Sequence, residues 1–289
     1  MRIPSIRMGA VLALLISSAL CCSAQEVPKA SEQPLDPQIL IKEVVYNELH
    51  QPDTPEYHSW KVRQVKPNRT TLRQYAETPE GLLGRVLTVN GKPLTGNNLA
   101  KEDARINRLL DPKQMREKRK EQKEDENRSK RIVAALPDAF IYQIAGTEEK
   151  DGHALVKLHF TPNPSFSAPN RETLVLQGME GDMIIDRTDM RLVKIDGTMT
   201  RDVSIGWGIL GRLDKGGHFV VEQRPVDKGD WEVTYMRLNF TGKALIFKTI
   251  RIDEIDTSYD FKRIPKMSVA EAINYLKKVD SDIGAVTQK

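Results

Sequence analysis

The sequence predicts an α+β chain dominated by antiparallel β-structure, and three observations carry that expectation. From Pro137 almost to the end, short apolar runs are separated by turn sequences such as MEGD, DRTD, KGG, VDKGD and TGK, a strand-and-turn spacing of about 8 to 12 residues. Asn90-Gly91 stands between two such runs, and it is the strongest short hairpin signal a sequence offers. Helical spacing is confined to three stretches, so the pattern fits a sandwich, a barrel or a wrapped sheet and not βαβ units.

The first 24 residues read as a secretory signal peptide: Arg2 and Arg7, an apolar run from Gly9 to Leu20, and small residues at Cys22-Ser23-Ala24. Cys21 or Cys22 as a lipid-bearing cysteine is the alternative, although Leu20 stands where a small residue is wanted. Residues 25–36, rich in Pro, Ser, Glu and Lys, read as a disordered lead. One domain is then expected over 37–289, with a charged helical insertion at 98–136.

Within that domain Pro37 suits a first helical turn, and Ile39, Leu40, Val44, Val45 and Leu49 recur at helical spacing. Trp60 to Val65, Leu72 to Tyr75 and Leu83 to Val89 read as strands around Pro67-Asn68 and Asn90-Gly91. Residues 112–131 carry 14 charges in 20 positions with Met115 as the only long apolar side chain. A helix polar all round has no face for a core, so this one should be a solvated, protruding helix. Beyond Pro137 the expected strands are 140–144, 154–160, 173–177, 183–186, 192–196, 199–205, 219–223, 231–240 and 244–255. A last helix, 269–279, opens on the capping box Ser268 and Glu271.

Composition excludes several functions. Both cysteines, Cys21 and Cys22, precede the expected cleavage, so the mature chain has no disulfide, thiolate metal site or cysteine nucleophile. It keeps 42 basic against 40 acidic residues, a balance with no footprint for nucleic acid. No second run approaches the roughly 18 apolar residues a spanning helix needs, so the mature protein is expected to be soluble or in peripheral contact with a membrane. Gly206, Gly208 and Gly211 spell G-x-G-x-x-G, but Lys215-Gly216-Gly217 breaks any helix that would follow, and a dinucleotide site needs that helix.

No catalytic constellation, metal set or cofactor motif emerges. His153 and His159 are six apart in one strand, about 20 Å at the rise of an extended chain, while His218 comes from elsewhere. Asp182, Asp186 and Asp189 read as turn residues. What the chain offers is apolar surface on a sheet. Leu176, Met179, Met183, Trp207, Phe219, Trp231 and Tyr235 are the candidate ligand-binding residues, in runs where apolar side chains alternate with polar ones.

These features resemble a known family. The run GMEGDMIIDRTDMRLVKIDGTMTRDVSIGWGILGRLDKGGHFVVEQRPV, the hairpin Gly181 to Ile195 within it, and Gly242 to Lys248 leading to Tyr259-Asp260-Phe261 are similar to the LolA/LolB-like group of periplasmic and outer-membrane lipoprotein-handling proteins. The likeness covers residues 138 to 262. It implies a half-barrel of about ten or eleven strands over helices, with an apolar concavity for acyl chains. The expected function is a secreted, periplasmic or outer-membrane-associated, non-catalytic protein that binds a lipid, lipoprotein or other apolar ligand in the concave face of its sheet. The alternative is an envelope protein-interaction or stress-sensing module with a protein partner.

Overall fold

The computed structural model describes residues 35–50, 56–205, 211–227, 230–244 and 248–287. The expected signal peptide, Trp207, Gly206 and Gly208 lie outside the described residues. Helix α1, Pro37–Leu49, starts where the Asp36 carboxylate accepts from the Gln38 and Ile39 N–H groups, and it buries Leu40, Ile41, Val44 and Val45. Strands β1 (Tyr57–Lys66), β2 (Arg69–Thr78), β3 (Gly81–Val89) and β4 (Lys92–Pro93) follow as hairpins. Asn90 and Gly91 take φ of 51° and 77°, the two left-handed residues a type I′ turn requires.

Next come α2 (Gly96–Asn107), a 3₁₀ turn at Arg108–Leu110 and α3 (Pro112–Ala139). The second β series is β5 (Phe140–Lys150), β6 (His153–Pro162), β7 (Met179–Asp186), β8 (Arg191–Met199), β9 (Val203–Ile205), β10 (Gly211–Leu213), β11 (His218–Asp227), β12 (Asp230–Ala244) and β13 (Lys248–Ile264). Helix α4, Val269–Thr287, closes the chain. Its capping box is formed: Ser268 N–H donates to Glu271 at 2.8 Å, and Glu271 N–H returns a bond to Ser268 Oγ at 3.4 Å.

The thirteen strands among the described residues belong to one open antiparallel sheet. The main path runs β4-β3-β2-β1-β13-β12-β11-β8-β7-β6-β5, and the short β9 and β10 branch from β12. The final strand, β13, enters between β1 and β12, so it joins the N-terminal hairpins to the C-terminal ones. Past Gly211 the chain forms β10 and then β11, with no helix between, which removes the phosphate-binding geometry the three glycines would need.

Register fixes which side chains share a face, because partners across an antiparallel pair point the same way. On β5 to β8, Phe160, Leu158, Val156, Met183 and Ile185 share one face and are buried; α1 and the end of α3 pack there. On β1 to β3 the opposite face, with Ser59, Gln74, Ala76, Leu83 and Arg85, is the buried one. Ala272, Ile273 and Leu276 of α4 join Ala76, Leu83, Ile106 and Met115 in the core there, and Tyr275 OH donates to Ser59 Oγ at 3.2 Å. The helices thus cover opposite faces at the two ends of the sheet, and their packing falls on β2, β3, β5 and β8.

Helix α3 is held at both ends. Gln122 exchanges two bonds with the Leu82 backbone, Arg131 meets Glu172 at 2.6 Å, and the turns between Arg116 and Arg131 are otherwise exposed apart from a half-buried Lys118. It runs through Pro137 to Ala139, three residues past the end expected at 136. Its last carbonyls find tertiary donors: Tyr142 OH to Leu136, the Gln38 amide to Pro137, and Asn163 to both Asp138 and Ala139. The expected strand at 173–177 is instead a 3₁₀ turn, Glu172–Gly178. Asn170 and Thr173 close it by exchanging side-chain bonds with each other's backbone, a local alternative that competes with strand pairing.

Candidate functional site

The four strands between the two covered ends, β1, β13, β12 and β11, carry the face that matters. The face continuous with α1 presents Trp60 and Val62 from β1, Met236, Leu238 and Phe240 from β12, and Phe219 and Val221 from β11. All but Phe240 are half-buried. The reverse face is charged where β8 meets β11: Lys194 reaches Asp196 and Glu222, and His218 meets Asp196 at 2.8 Å; farther along, Arg237 and Asp253 alternate with Val65, Ile255 and Tyr235.

Aromatic rings lie flat along the α1 face. Trp60 stacks on Tyr75 at 5.7 Å and on Phe261 at 5.8 Å. Phe219 lies across Gly197 of β8, where an added methyl would come within 2.4 Å of its ring. That glycine is required because the ring occupies the space a side chain would need. Between the apolar residues sits a polar notch of Gln64, Glu254 and Asp256.

At the hairpin end of these strands carboxyls crowd together. Glu77 accepts from His58 N–H at 2.7 Å, yet burial holds its carboxyl above the usual range. Glu232 is pushed up to about 7, first by desolvation and then by the charge of Glu77. A carboxyl whose folded-state pKa is raised contributes stability fully present below its unfolded pKa and lost as pH rises through about 7. Thermal melts of Glu232→Gln are therefore expected to match the wild type below the unfolded pKa of 4.5 and to exceed it at pH 8. Equal melting temperatures at pH 8 would show that Glu232 is not desolvated in the folded protein.

Two groups bring possible metal ligands within 4.8 Å of one another, Glu56/His58/Asp227 and His153/Asp186/Asp189. Both are engaged by protein partners. Arg263 bonds Glu56 and Asp227; Asp186 caps its own turn through Thr188 and Asp189 N–H and meets His153 at 2.6 Å. The expected turn role of Asp186 is what the structure shows. His159 and His218 share the exposed reverse face, with Asp182 and Asp196 cross-strand partners between them.

The candidate binding residues divide. Met179, Met183 and Phe219 lie on the α1 face, but Met179 and Met183 are buried under the helices, as is Leu176 in its 3₁₀ turn. Tyr235 lies on the reverse face, paired with Thr257 and Glu222, so it shares no surface with Phe219. Trp231 is buried at the start of β12, and Trp207 lies outside the described residues. Trp60, Val62, Met236, Gln64 and Asp256 were not expected. The signal for Met236 was present in the alternation of Met236, Leu238 and Phe240, and the acidic run Asp253-Glu254-Ile255-Asp256 marked the notch.

No protein-family model matches the chain, and no curated protein does. Solved structures do. A LolA superfamily protein from Nitrosomonas europaea is 9% identical over 83% of this chain and 98% of its own, with a TM-score of 0.29. A putative outer membrane lipoprotein-sorting protein domain from Vibrio parahaemolyticus is 8% identical over 83% and 97%, with a TM-score of 0.32. The chain is similar to LolA-superfamily structures. A DUF1329 family protein from Desulfovibrio piger is also similar, 13% identical over 82% and 97%, with a TM-score of 0.31. No ligand and no residue role is carried over from any of them.

Proposed function

We propose that the protein binds an apolar ligand, a lipid or the lipid part of a lipoprotein, on the α1 face of its central strands. It does so without catalysis, in the cell envelope after export. The observation behind this is the contrast between the two faces of β1, β13, β12 and β11. One groups Phe219, Val221, Met236 and Leu238 half-buried where the helices stop; the other intersperses its apolar residues with Arg63, Glu222, Arg237 and Asp253. Apolar surface left beside water favours any partner that covers it, by roughly 25 cal/mol per Å². The narrower lining is Trp60, Val62, Phe219, Val221, Met236 and Leu238, with the buried Met179, Met183 and Leu176 behind it as support.

Native mass spectrometry of gently purified protein is expected to show a lipid adduct. The double variant Met236→Gln, Leu238→Gln, which puts two amides into the middle of the face, is expected to lose it while keeping the wild-type melting curve. A wild type that takes up no lipid, even when lipid is supplied, ends this reading.

A further inference from the structure

Resting on the reading that the α1 face holds an apolar chain, one row of the sheet indicates what that chain is attached to. In register across the strands, Thr71, Gln64, Asp256, Met236 and Val221 occupy one row of that face. The row passes from polar to apolar in a single step between Asp256 and Met236.

The polar end holds more acceptors than donors. Gln64 Nε2 donates to Glu254 at 2.5 Å and reaches Asp256 at 3.4 Å. Lys66 Nζ lies 2.9 Å from the other Glu254 oxygen. Asp256 Oδ1 has no partner although it is shut off from solvent, and the hydroxyl of Thr71, a residue only 3% exposed, is in the same condition. Buried polar atoms are almost always paired, so the unpaired Asp256 oxygen marks a place where a donor belongs, and the Thr71 hydroxyl, across Gln64 in the same row, is a second unpaired group. Burial and then the charge of Glu254 hold the Asp256 carboxyl above its ordinary range, which Lys66 and Arg73 offset only in part.

Lys66 shows what the notch accepts. A primary ammonium already sits on one of its two carboxylates, carried by a side chain that is half exposed. The geometry points to an amphiphile with a primary ammonium head, seated on Asp256 and Glu254, its chain laid over Met236, Leu238 and Val221. Such a head supplies the missing donors and a charge opposite to the pair; a carboxylate or phosphate head would meet like charge.

The test uses three probes with one chain and different heads, dodecylammonium, dodecanol and dodecanoate, titrated calorimetrically into the delipidated mature protein below their micelle concentrations. Dodecylammonium is expected to bind about tenfold tighter than dodecanoate, the factor one charge-assisted hydrogen bond supplies. Asp256→Asn should erase that preference and leave dodecanol unchanged, while the Met236→Gln, Leu238→Gln variant should weaken all three probes alike. Glu254→Gln, which removes the other carboxylate of the notch, should weaken dodecylammonium more than dodecanol, and it serves if Asp256→Asn does not fold. Dodecanoate binding as tightly as dodecylammonium, or a preference that survives Asp256→Asn, overturns the ammonium assignment and leaves the apolar face standing. If no probe binds, the apolar-face reading fails and takes this one with it.

Discussion

Phe160→Ala is expected to destabilise the protein by about 3–5 kcal/mol, at the upper end for a buried aromatic. Phe160 is fully buried on the α1 face, with Phe140 4.6 Å away between ring centroids. Its cross-strand neighbour on β7 is Gly181, whose own partner on β8 is Gly197. Those glycines floor the ring: a methyl on Gly197 would stand 3.3 Å from Phe160, and one on Gly181 would strike the Asp196 carbonyl at 2.0 Å. Backbone cannot move into the void, and neither glycine has a side chain to turn into it, so the cavity stays open. Denaturant unfolding checks this, with an unchanged slope showing that the loss is one of stability. A loss under about 1 kcal/mol would mean that Phe219, which lies over the same Gly197, swings in to fill the space.

That same packing shows how far the sequence could be read. Local signals were sufficient wherever the cause of the structure was local. Asp36 with Pro37, Asn90-Gly91 and Ser268 with Glu271 each satisfy or redirect backbone within four residues, and each element starts or turns where they stand. Alternation likewise marked the second series of strands, but alternation is symmetric: it says that Phe219 and Tyr235 each have a buried-type phase, not which face that phase occupies. Only the pairing of β11 with β12 places them on opposite sides. The pairing of β1 with β13 links residues some 190 positions apart, such as Gln64 with Glu254, so the notch those strands create has no trace in any short window. Pro137 misled for a similar reason, since the donors that satisfy the end of α3 come from Gln38, Tyr142 and Asn163.

Glu102→Ala is expected to cost about 2–3 kcal/mol, because it leaves the Val86 N–H without its acceptor and removes a charge-assisted bond to a partly exposed arginine. Glu102 is an acidic residue on α2 that pattern alone would place in solvent, yet it is buried against β3. One oxygen accepts from Val86 N–H at 2.8 Å and from Arg105 Nη2 at 2.7 Å; the other accepts from Arg105 Nε at 2.8 Å. Arg105 in turn donates to the Gly84 carbonyl, so the pair ties α2 to the strand whose other neighbours are Leu83 and Arg85 of the α4 core. Burial alone would raise the Glu102 carboxyl; the bonds from Arg105 and Val86 outweigh it and hold the group below the usual range. A depressed pKa contributes stability that is present above the unfolded value and lost as pH falls through the folded one. The wild type should therefore converge on Glu102→Gln as pH falls below the usual carboxylate range. Glu102→Gln keeps an acceptor for Val86 but removes the charge, and it should fall between the wild type and Glu102→Ala at neutral pH. If Glu102→Gln were as stable as the wild type at pH 7, the charge on Glu102 would contribute nothing, and α2 would be held by Ile106, the Val86 hydrogen bond and the pair Asp103 makes with Arg85.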